Sequence, residues 1–222
     1  MSAPEITYEI RWFLPGTIPE PGVRDWFINN PRFGARLSEK QGKTREDMYL
    51  ITTGNNGIGA KLREGKIEIK VLQDGQEIME QEAPASGKSE IWHKWKWPYA
   101  EGKKDKKINE LVFESVLART PRRLRVLVWK KRWQRKFMVA GPRELLPVSK
   151  GQKDLTWWIS AELTGLKVKG APWWTLALEV CENPGASPLL LQQCLSWMLR
   201  DYSGPPLTAD NLYSYPEWLA HL

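Results

Sequence analysis

The chain has 222 residues, with 33 lysines and arginines against 26 aspartates and glutamates, which gives a formal net charge of +7. Hydrophobic residues at 41% and charged residues at 27% are close to the averages of globular domains and argue against disorder. Two histidines and two cysteines exclude a zinc ribbon, a disulfide scaffold and a multi-histidine metal centre, so carboxylates would have to hold any metal.

The first predicted elements are a strand and a short helix. Residues 5–14 alternate, with Thr7, Glu9 and Arg11 on the polar face, which predicts a β-strand. A proline- and glycine-containing break then leads into a short helix over 23–30. Further strands are predicted at 47–53, 58–63, 66–72 and 90–97, and the connectors GNNG (54–57) and EG (64–65) are typical of hairpins.

The second half of the chain mixes helices and strands. Helical spacing of apolar residues predicts helices over 105–119 and from Pro188 onward, and the segment SYPE (214–217) opens a short terminal helix. Strands are predicted at about 123–139, 155–163 and 173–182. This order of elements predicts an α+β fold with a largely antiparallel sheet.

No signal peptide or membrane span is visible in the sequence. The N-terminus lacks the charged and apolar regions of a signal peptide, and no stretch reaches the roughly 18 apolar residues that a membrane helix needs. We therefore expect a cytoplasmic protein without membrane contact. The length suits a single domain over 1–222, with a C-terminal helical segment of about 187–222 packed on it.

Charge dominates the polar face of one predicted strand after another. These faces carry Glu9 and Arg11; Lys61 and Arg63; Lys66, Glu68 and Lys70; Lys130, Arg132, Gln134 and Lys136; Ser160 and Glu162; Thr175, Ala177 and Glu179. A solvated sheet face would explain them. If helices cover the apolar faces, however, a sheet of this many strands tends to close, and the charged faces would converge on an interior. Unpaired charges there are costly, which makes such a lumen a candidate site for a polyanion.

The residue types favour phosphate as the ligand. Clustered arginines and lysines match phosphate oxygens, and arginine adds bidentate geometry. Carboxylates beside them would repel a phosphate unless a divalent cation bridges the two, as Mg²⁺ does with carboxylates and phosphate oxygens. The pattern therefore predicts a metal-assisted polyphosphate site, with Mg²⁺ as the bridging cation.

Several motifs resemble those of the CYTH superfamily, the triphosphate tunnel metalloenzymes. The strand TYEIRWFL is similar to the opening E-x-E-x-K motif of that family, with Thr7 in place of the first glutamate and Arg11 in place of the lysine. AKLREGKIEIKVL is similar to its R-x-R strand and strand-ending lysine, and WKKRWQ to its K-x-R. WWTLALEVCEN keeps one carboxylate of E-x-E, Glu179, and NLYSYPEWLAHL looks like the C-terminal SY motif.

The resemblance implies an eight-stranded antiparallel β-tunnel with helices outside, which binds triphosphate with Mg²⁺ or Mn²⁺. By this resemblance the phosphate-binding residues are Arg11, Lys61, Arg63, Lys70, Lys130 and Arg132. Glu9 and Glu179 would be catalytic and would ligate metal, with Glu68 and Glu162 as further metal ligands. Because two acidic positions of the family motifs are missing, phosphate binding is better supported than hydrolysis, and whether the protein is an enzyme stays open.

An alternative is a non-catalytic protein that binds RNA or another polyanion. The net charge is 0 over residues 1–100, +11 over 101–153 and −4 over 154–222, so the positive excess lies in the middle of the chain, largely in the basic strand at 121–137. The segment EIWHKWKW (90–97) also interleaves cations and aromatic residues, as nucleic-acid-binding surfaces do. No G-x-S-x-G, Walker A or G-x-G-x-x-G motif supports acyl transfer or dinucleotide chemistry.

Overall fold

The computed structural model contains eleven strands and three α-helices in the part of the chain that it describes. It describes residues 3–38, 42–52, 54–63, 66–73, 78–82, 85–98, 111, 115, 118–141, 144–148, 159–181 and 188–222. The strands are β1 (Glu5–Pro15), β2 (Lys43–Leu50), β3 (Ile58–Arg63), β4 (Lys66–Leu72), β5 (Ile78–Glu82), β6 (Ala85–Lys88), β7 (Glu90–Pro98), β8 (Arg125–Gly141), β9 (Glu144–Pro147), β10 (Ile159–Val168) and β11 (Ala171–Cys181). The α-helices are α1 (Val23–Asn29), α2 (Pro188–Leu199) and α3 (Tyr215–Ala220).

Eight of these strands close into an antiparallel barrel. Their order is β10-β11-β1-β7-β4-β3-β2-β8, and β10 also pairs with β8, which closes the circle. β9 pairs with the end of β8, while β5 and β6 form a separate hairpin. The predicted α+β fold with an eight-stranded antiparallel barrel is therefore confirmed.

Alternation along each strand separates an apolar outer face from a charged inner face. In β1, Ile10 and Trp12 point outward into the main hydrophobic core, and Glu9 and Arg11 point inward. The outer core is built on β1, β10 and β11 and is covered by α1 and α2, with Phe27 and Leu191 fully buried. Burial of these side chains is the main driving force for closing this half of the barrel.

A second apolar cluster fills one end of the barrel. It contains inward-facing residues of four strands together with two residues of α3: Phe13, Tyr49, Val126, Val128, Leu166, Val168, Trp218 and Leu219. The Phe13 and Trp218 rings are stacked with centroids 4.5 Å apart. The Ser214 hydroxyl accepts a hydrogen bond from the Glu217 backbone N–H at 3.3 Å and caps α3, as the capping-box spacing predicted. We call this cluster the plug, because it closes the barrel interior at this end.

Most predicted elements are present, but several boundaries differ. β2 begins at Lys43 rather than at residue 47, because its polar first half pairs with β8 inside the barrel wall. β10 and β11 extend to a two-residue turn at Lys169 and Gly170, which both have positive φ, as tight hairpins of this kind require. β5, β6 and β9 were not predicted.

Two further predictions concern helices. The predicted helix over 105–119 lies largely outside the described residues, although positions 111, 115, 118 and 119 are helical. None of the helices in the described part of the chain has the length and hydrophobicity of a transmembrane span.

Candidate functional site

All ten residues predicted for the site line one cavity inside the barrel. The strand register turns Arg11, Lys61, Arg63, Lys70, Lys130, Arg132, Glu9, Glu68, Glu162 and Glu179 toward the same lumen, which has a volume of about 120 Å³. By this measure a single water needs about 10–15 Å³, so the lumen has room for a ligand of several non-hydrogen atoms. The charged strand faces thus form an interior, and their assigned roles in binding and catalysis remain predictions.

Sequence reasoning missed several residues that also line the lumen. They are Arg45, Tyr49, Glu90, Trp92, Lys94 and the segment from Tyr213 to Pro216. The alternation in EIWHKWKW already placed Trp92 and Lys94 on one strand face, and this signal could have included them. Arg45 lies before the predicted start of its strand, and Tyr215 comes from the tail, where only the fold brings it to the barrel.

Glu9 lies in the middle of a row of three carboxyl groups on adjacent strands. Its register partners are Glu179 on β11 and Glu90 on β7. The Thr7 hydroxyl donates a hydrogen bond to Glu9 Oε1 at 2.8 Å, and the Lys70 ammonium contacts the same oxygen. Burial opposes ionisation of Glu9, but the nearby cations, Lys70 first among them, outweigh it and lower the pKa to about 2. Glu9 is therefore a carboxylate at neutral pH.

Glu90 is the carboxyl group of this row with the opposite shift. Burial, together with the charge of Glu9, raises the pKa of Glu90 to about 7, although the Trp92 indole N–H donates a hydrogen bond to its Oε2 at 2.9 Å. A substantial fraction of the Glu90 carboxyl groups is therefore protonated near neutral pH. This reduces the negative charge on the lumen wall.

Glu162 is shared by two arginines. Arg132 Nη1 lies 2.7 Å from Glu162 Oε1, and Arg11 Nη2 lies 3.2 Å from Oε2. Arg11 and Glu162 are on β1 and β10, which flank β11, and both are register partners of Ala177. The small alanine leaves room for the guanidinium to reach across the intervening strand. The alanine at position 177 therefore allows a cross-strand ion pair.

Glu68 is shared by Lys61 and Arg63. Lys61 Nζ lies 2.9 Å from Glu68 Oε2, and Arg63 contacts Oε1. Burial opposes ionisation of Glu68, but these two cations outweigh it and lower the pKa to about 2. Burial and repulsion from Arg63 lower the pKa of Lys61 to about 7.

Asp47 is shared by Lys130 and Arg45. Lys130 Nζ lies 3.0 Å from Asp47 Oδ2, and Arg45 Nε lies 3.2 Å from Oδ1. The Lys130 ammonium also donates a hydrogen bond to the Tyr49 hydroxyl at 2.6 Å and lies 3.8 Å from the centre of the Tyr215 ring. Burial lowers the pKa of Lys130 to about 7, with Asp47 opposing the shift. The plug thus contacts the charged lumen directly through Tyr49 and the neighbouring Tyr215.

Glu179 contacts Lys94, which also reaches Glu5. Lys94 Nζ lies 3.4 Å from Glu179 Oε1 and 3.6 Å from Glu5 Oε1. Burial disfavours the charged ammonium, but Glu179, Glu9 and Glu5 raise the pKa of Lys94 above its usual value. The Cys181 thiol lies 3.8 Å from Glu5 Oε1, and Cys181 and Cys194 are both free cysteines.

Positive charge is in surplus around the lumen. Eight cationic side chains but five acidic ones line it among the described residues, and buried Asp47 adds a sixth carboxyl group behind them. Three of the carboxylates each form ion pairs with two cations, namely Asp47, Glu68 and Glu162. Crowding of like charge is therefore relieved only in part, and an anion in the lumen would relieve it further.

The carboxylates do not fit a resident divalent metal. Each of the four predicted metal ligands, Glu9, Glu68, Glu162 and Glu179, already contacts a lysine or arginine. Among the described residues, one group of potential ligands converges within 4.8 Å, namely Glu5, Glu179 and Cys181. The Lys94 ammonium contacts both carboxylates of this group. Mg²⁺ or Mn²⁺ as a cofactor therefore remains a prediction that this donor set does not favour.

The basic strand over 121–137 does not form a single outer patch. Lys130 and Arg132 point into the lumen, whereas Lys131 lines an outer groove beside Trp129 and Trp133. Arg135 is buried and donates hydrogen bonds to backbone carbonyl groups. The cations that the sequence places side by side are therefore divided between three environments.

A comparison of the sequence with protein-family models and with curated proteins finds no match to this chain.

Proposed function

We propose that the barrel lumen binds a short polyphosphate, with a triphosphate group as the simplest ligand. The observation that carries this proposal is the surplus of cations around a single cavity, where three carboxylates are each shared by two cations. Phosphate oxygens are charged acceptors that clustered arginines and lysines bind through strong, charge-assisted hydrogen bonds. The resemblance of the strand motifs to the CYTH superfamily favours the same ligand class.

The cations that share a carboxylate are the best candidates to donate hydrogen bonds to phosphate. Arg11 and Arg132 together hold Glu162, and an arginine has five N–H groups, so each retains donors for a ligand. The low pKa of Lys61 and of Lys130, about 7 in each case, reflects burial of charge, and a bound anion would stabilise both ammonium groups.

The plug favours a short chain over a long one. Phe13, Tyr49 and Trp218 fill the barrel interior at one end, so a long polymer cannot thread through it. The cavity volume of about 120 Å³ also suits a few phosphate groups. Long RNA would have to bind outside the barrel, where Lys130 and Arg132 of the basic strand are not accessible because they point into the lumen.

The proposal is limited to binding. Glu9 and Glu179 each contact a lysine, Lys70 and Lys94 respectively, and thereby hold these ammonium groups at the lumen wall. Their predicted catalytic roles need a separate test, phosphate release by the variants E9Q and E179Q.

Titration calorimetry with tripolyphosphate tests the proposal, with two variants on the same strand. R132Q removes a lumen cation, and we expect its affinity to fall about tenfold or more, because charge-assisted hydrogen bonds to phosphate are lost. K131Q removes the neighbouring outward cation, and its affinity should stay within about twofold of wild type. A ligand at about 100 times its Kd should also raise the Tm by several degrees.

Two outcomes would contradict the proposal. One is the absence of tripolyphosphate binding by the folded wild-type protein. The other is tighter binding of single-stranded RNA that is lost in K131Q and retained in R132Q, which would favour the alternative site on the basic strand. Steep weakening of binding with salt would accompany that second outcome.

A further inference from the structure

The carboxylates nearest to a metal-like arrangement surround a lysine. Oxygens of Glu5 and Glu179 lie within 4.8 Å of each other and of the Cys181 sulfur. Lys94 Nζ contacts an oxygen of each glutamate, at 3.6 and 3.4 Å, and the Lys94 side chain is only 11% exposed. The ammonium group therefore lies where a cation shared by the two carboxylates would lie.

We propose that Lys94 is the resident cation of this carboxylate group, so that the lumen binds polyphosphate as the metal-free anion. This inference rests on the proposed function. Carboxylates beside phosphate would otherwise require a divalent cation. In this proposal the Lys94 ammonium group, which is fixed on the barrel wall, takes the place of that cation.

The strand register supports this role for Lys94. On β7 it is the register partner of Glu5 on β1 and of Lys70 on β4. Lys70 in turn contacts Glu9, the register partner of Glu179. Lys70 and Lys94 thus contact all three carboxylates between them, and a divalent ion would meet repulsion from both ammonium groups. A metal could enter only if a lysine side chain moved away.

The charge of the ligand determines which form of tripolyphosphate the lumen should prefer. Free tripolyphosphate carries more negative charge than its Mg²⁺ complex, and a lumen with its own cations gains more from the free anion. We therefore expect tripolyphosphate to bind at least as tightly in EDTA as in saturating Mg²⁺.

Mn²⁺ titration followed by electron paramagnetic resonance tests the role of Lys94 without any polyphosphate. Wild type should hold no Mn²⁺ in the lumen, whereas K94M should gain about one site, because it removes the ammonium group from Glu179 and from Glu5 Oε1, while Lys96 keeps its contact with Glu5 Oε2. K96M is the matched control, since Lys96 lies on the same face of β7 and contacts Glu5 but has no contact with Glu179 in the described structure. The double variant K94M/E179Q should lose the gained site. K94Q serves as a second variant if K94M does not fold.

Several results would overturn the inference. Mn²⁺ binding by wild type that disappears in E179Q would show that the carboxylates hold metal despite Lys94. A folded K94M or K94Q without a gained site would show that Lys94 does not occupy a cation position. Tripolyphosphate binding that requires Mg²⁺ would also contradict it while supporting the proposed function. Absence of tripolyphosphate binding under both conditions would instead contradict the proposed function, and the Mn²⁺ experiment would still decide the role of Lys94.

In K94M we expect tripolyphosphate affinity in EDTA to fall about tenfold. Mn²⁺ should restore much of this loss, because the ion then occupies the place of the ammonium group. A purely structural role for Lys94 would produce the loss without the restoration.

Discussion

At the scale of single residues, Arg135 shows that a cation of the basic strand can serve the fold. Its guanidinium donates hydrogen bonds to the carbonyl oxygens of Ile28 at 2.7 Å, Phe33 at 3.0 Å and Ala35 at 2.6 Å, and also reaches Phe27. These carbonyl groups lie at the end of α1 and in the turn that follows it. Burial lowers the pKa of Arg135 to about 10, so it remains charged at neutral pH.

We expect R135M to destabilise the protein by more than about 2 kcal/mol, because several buried carbonyl groups lose their donor together. Urea unfolding followed by tryptophan fluorescence measures the change. The control K167M removes an exposed cation of β10 and should change stability by less than about 0.5 kcal/mol. Equal stability of R135M and K167M would show that α1 does not depend on Arg135.

At the scale of elements, the start of α3 packs closely against β3. A Cβ atom on Gly59 would lie 2.9 Å from Pro216 Cγ, which is closer than side chains tolerate. The same helix supplies Trp218 to the plug, and Tyr215 contacts Lys130. A small residue on β3 is therefore needed for the C-terminal segment to reach both the plug and the lumen.

We expect G59A to destabilise the protein by about 1–3 kcal/mol through displacement of α3. G165A is the matched control, because a Cβ atom at that strand position would make an ordinary contact of 3.6 Å with Ile18. Thermal unfolding compares the two variants. A lower Tm for G165A than for G59A would contradict the packing argument.

At the scale of the whole molecule, paired charges inside a closed barrel link stability to pH. Glu9, Glu68 and Glu162 each have a pKa near 2, against an ordinary value of 4.5, because nearby cations outweigh the effect of burial. Since the folded-state pKa is lowered, the stability that each carboxylate contributes is present above about pH 4.5. It is lost as the pH falls from there toward 2.

We therefore expect the free energy of unfolding to fall by at least about 2 kcal/mol between pH 5 and pH 3. Urea titrations at both pH values measure this difference. E162Q should show a smaller pH dependence than wild type, because one of the three shifted carboxyl groups is gone, even though its stability at pH 7 is lower. An equal pH dependence in E162Q and wild type would mean that Glu162 does not carry the predicted shift.

Much of the candidate site could be predicted because inner and outer residues alternate along a strand. Glu9 and Arg11, or Lys130 and Arg132, share a face in any extended chain, and closure of the barrel then brings such faces together. Arg45 was missed because the first half of its strand has no apolar alternation. Lys94 was on a predicted strand, but its contact with Glu179 depends on which strands are neighbours.

The eight barrel strands, their charged faces and the antiparallel closure of the sheet could be predicted from the chain alone, because period-two alternation and hydrophobic burial are local properties. The folded barrel sets how the charges are paired, since the order of strands places Lys94 between Glu5 and Glu179 and Ala177 between Arg11 and Glu162. It also decided that the tail closes one end of the barrel with Trp218. The net charge of +7 corresponds to particular ion pairs and a cation surplus only in the folded barrel. Ion pairs form over a few ångströms, here between strands that are distant in sequence.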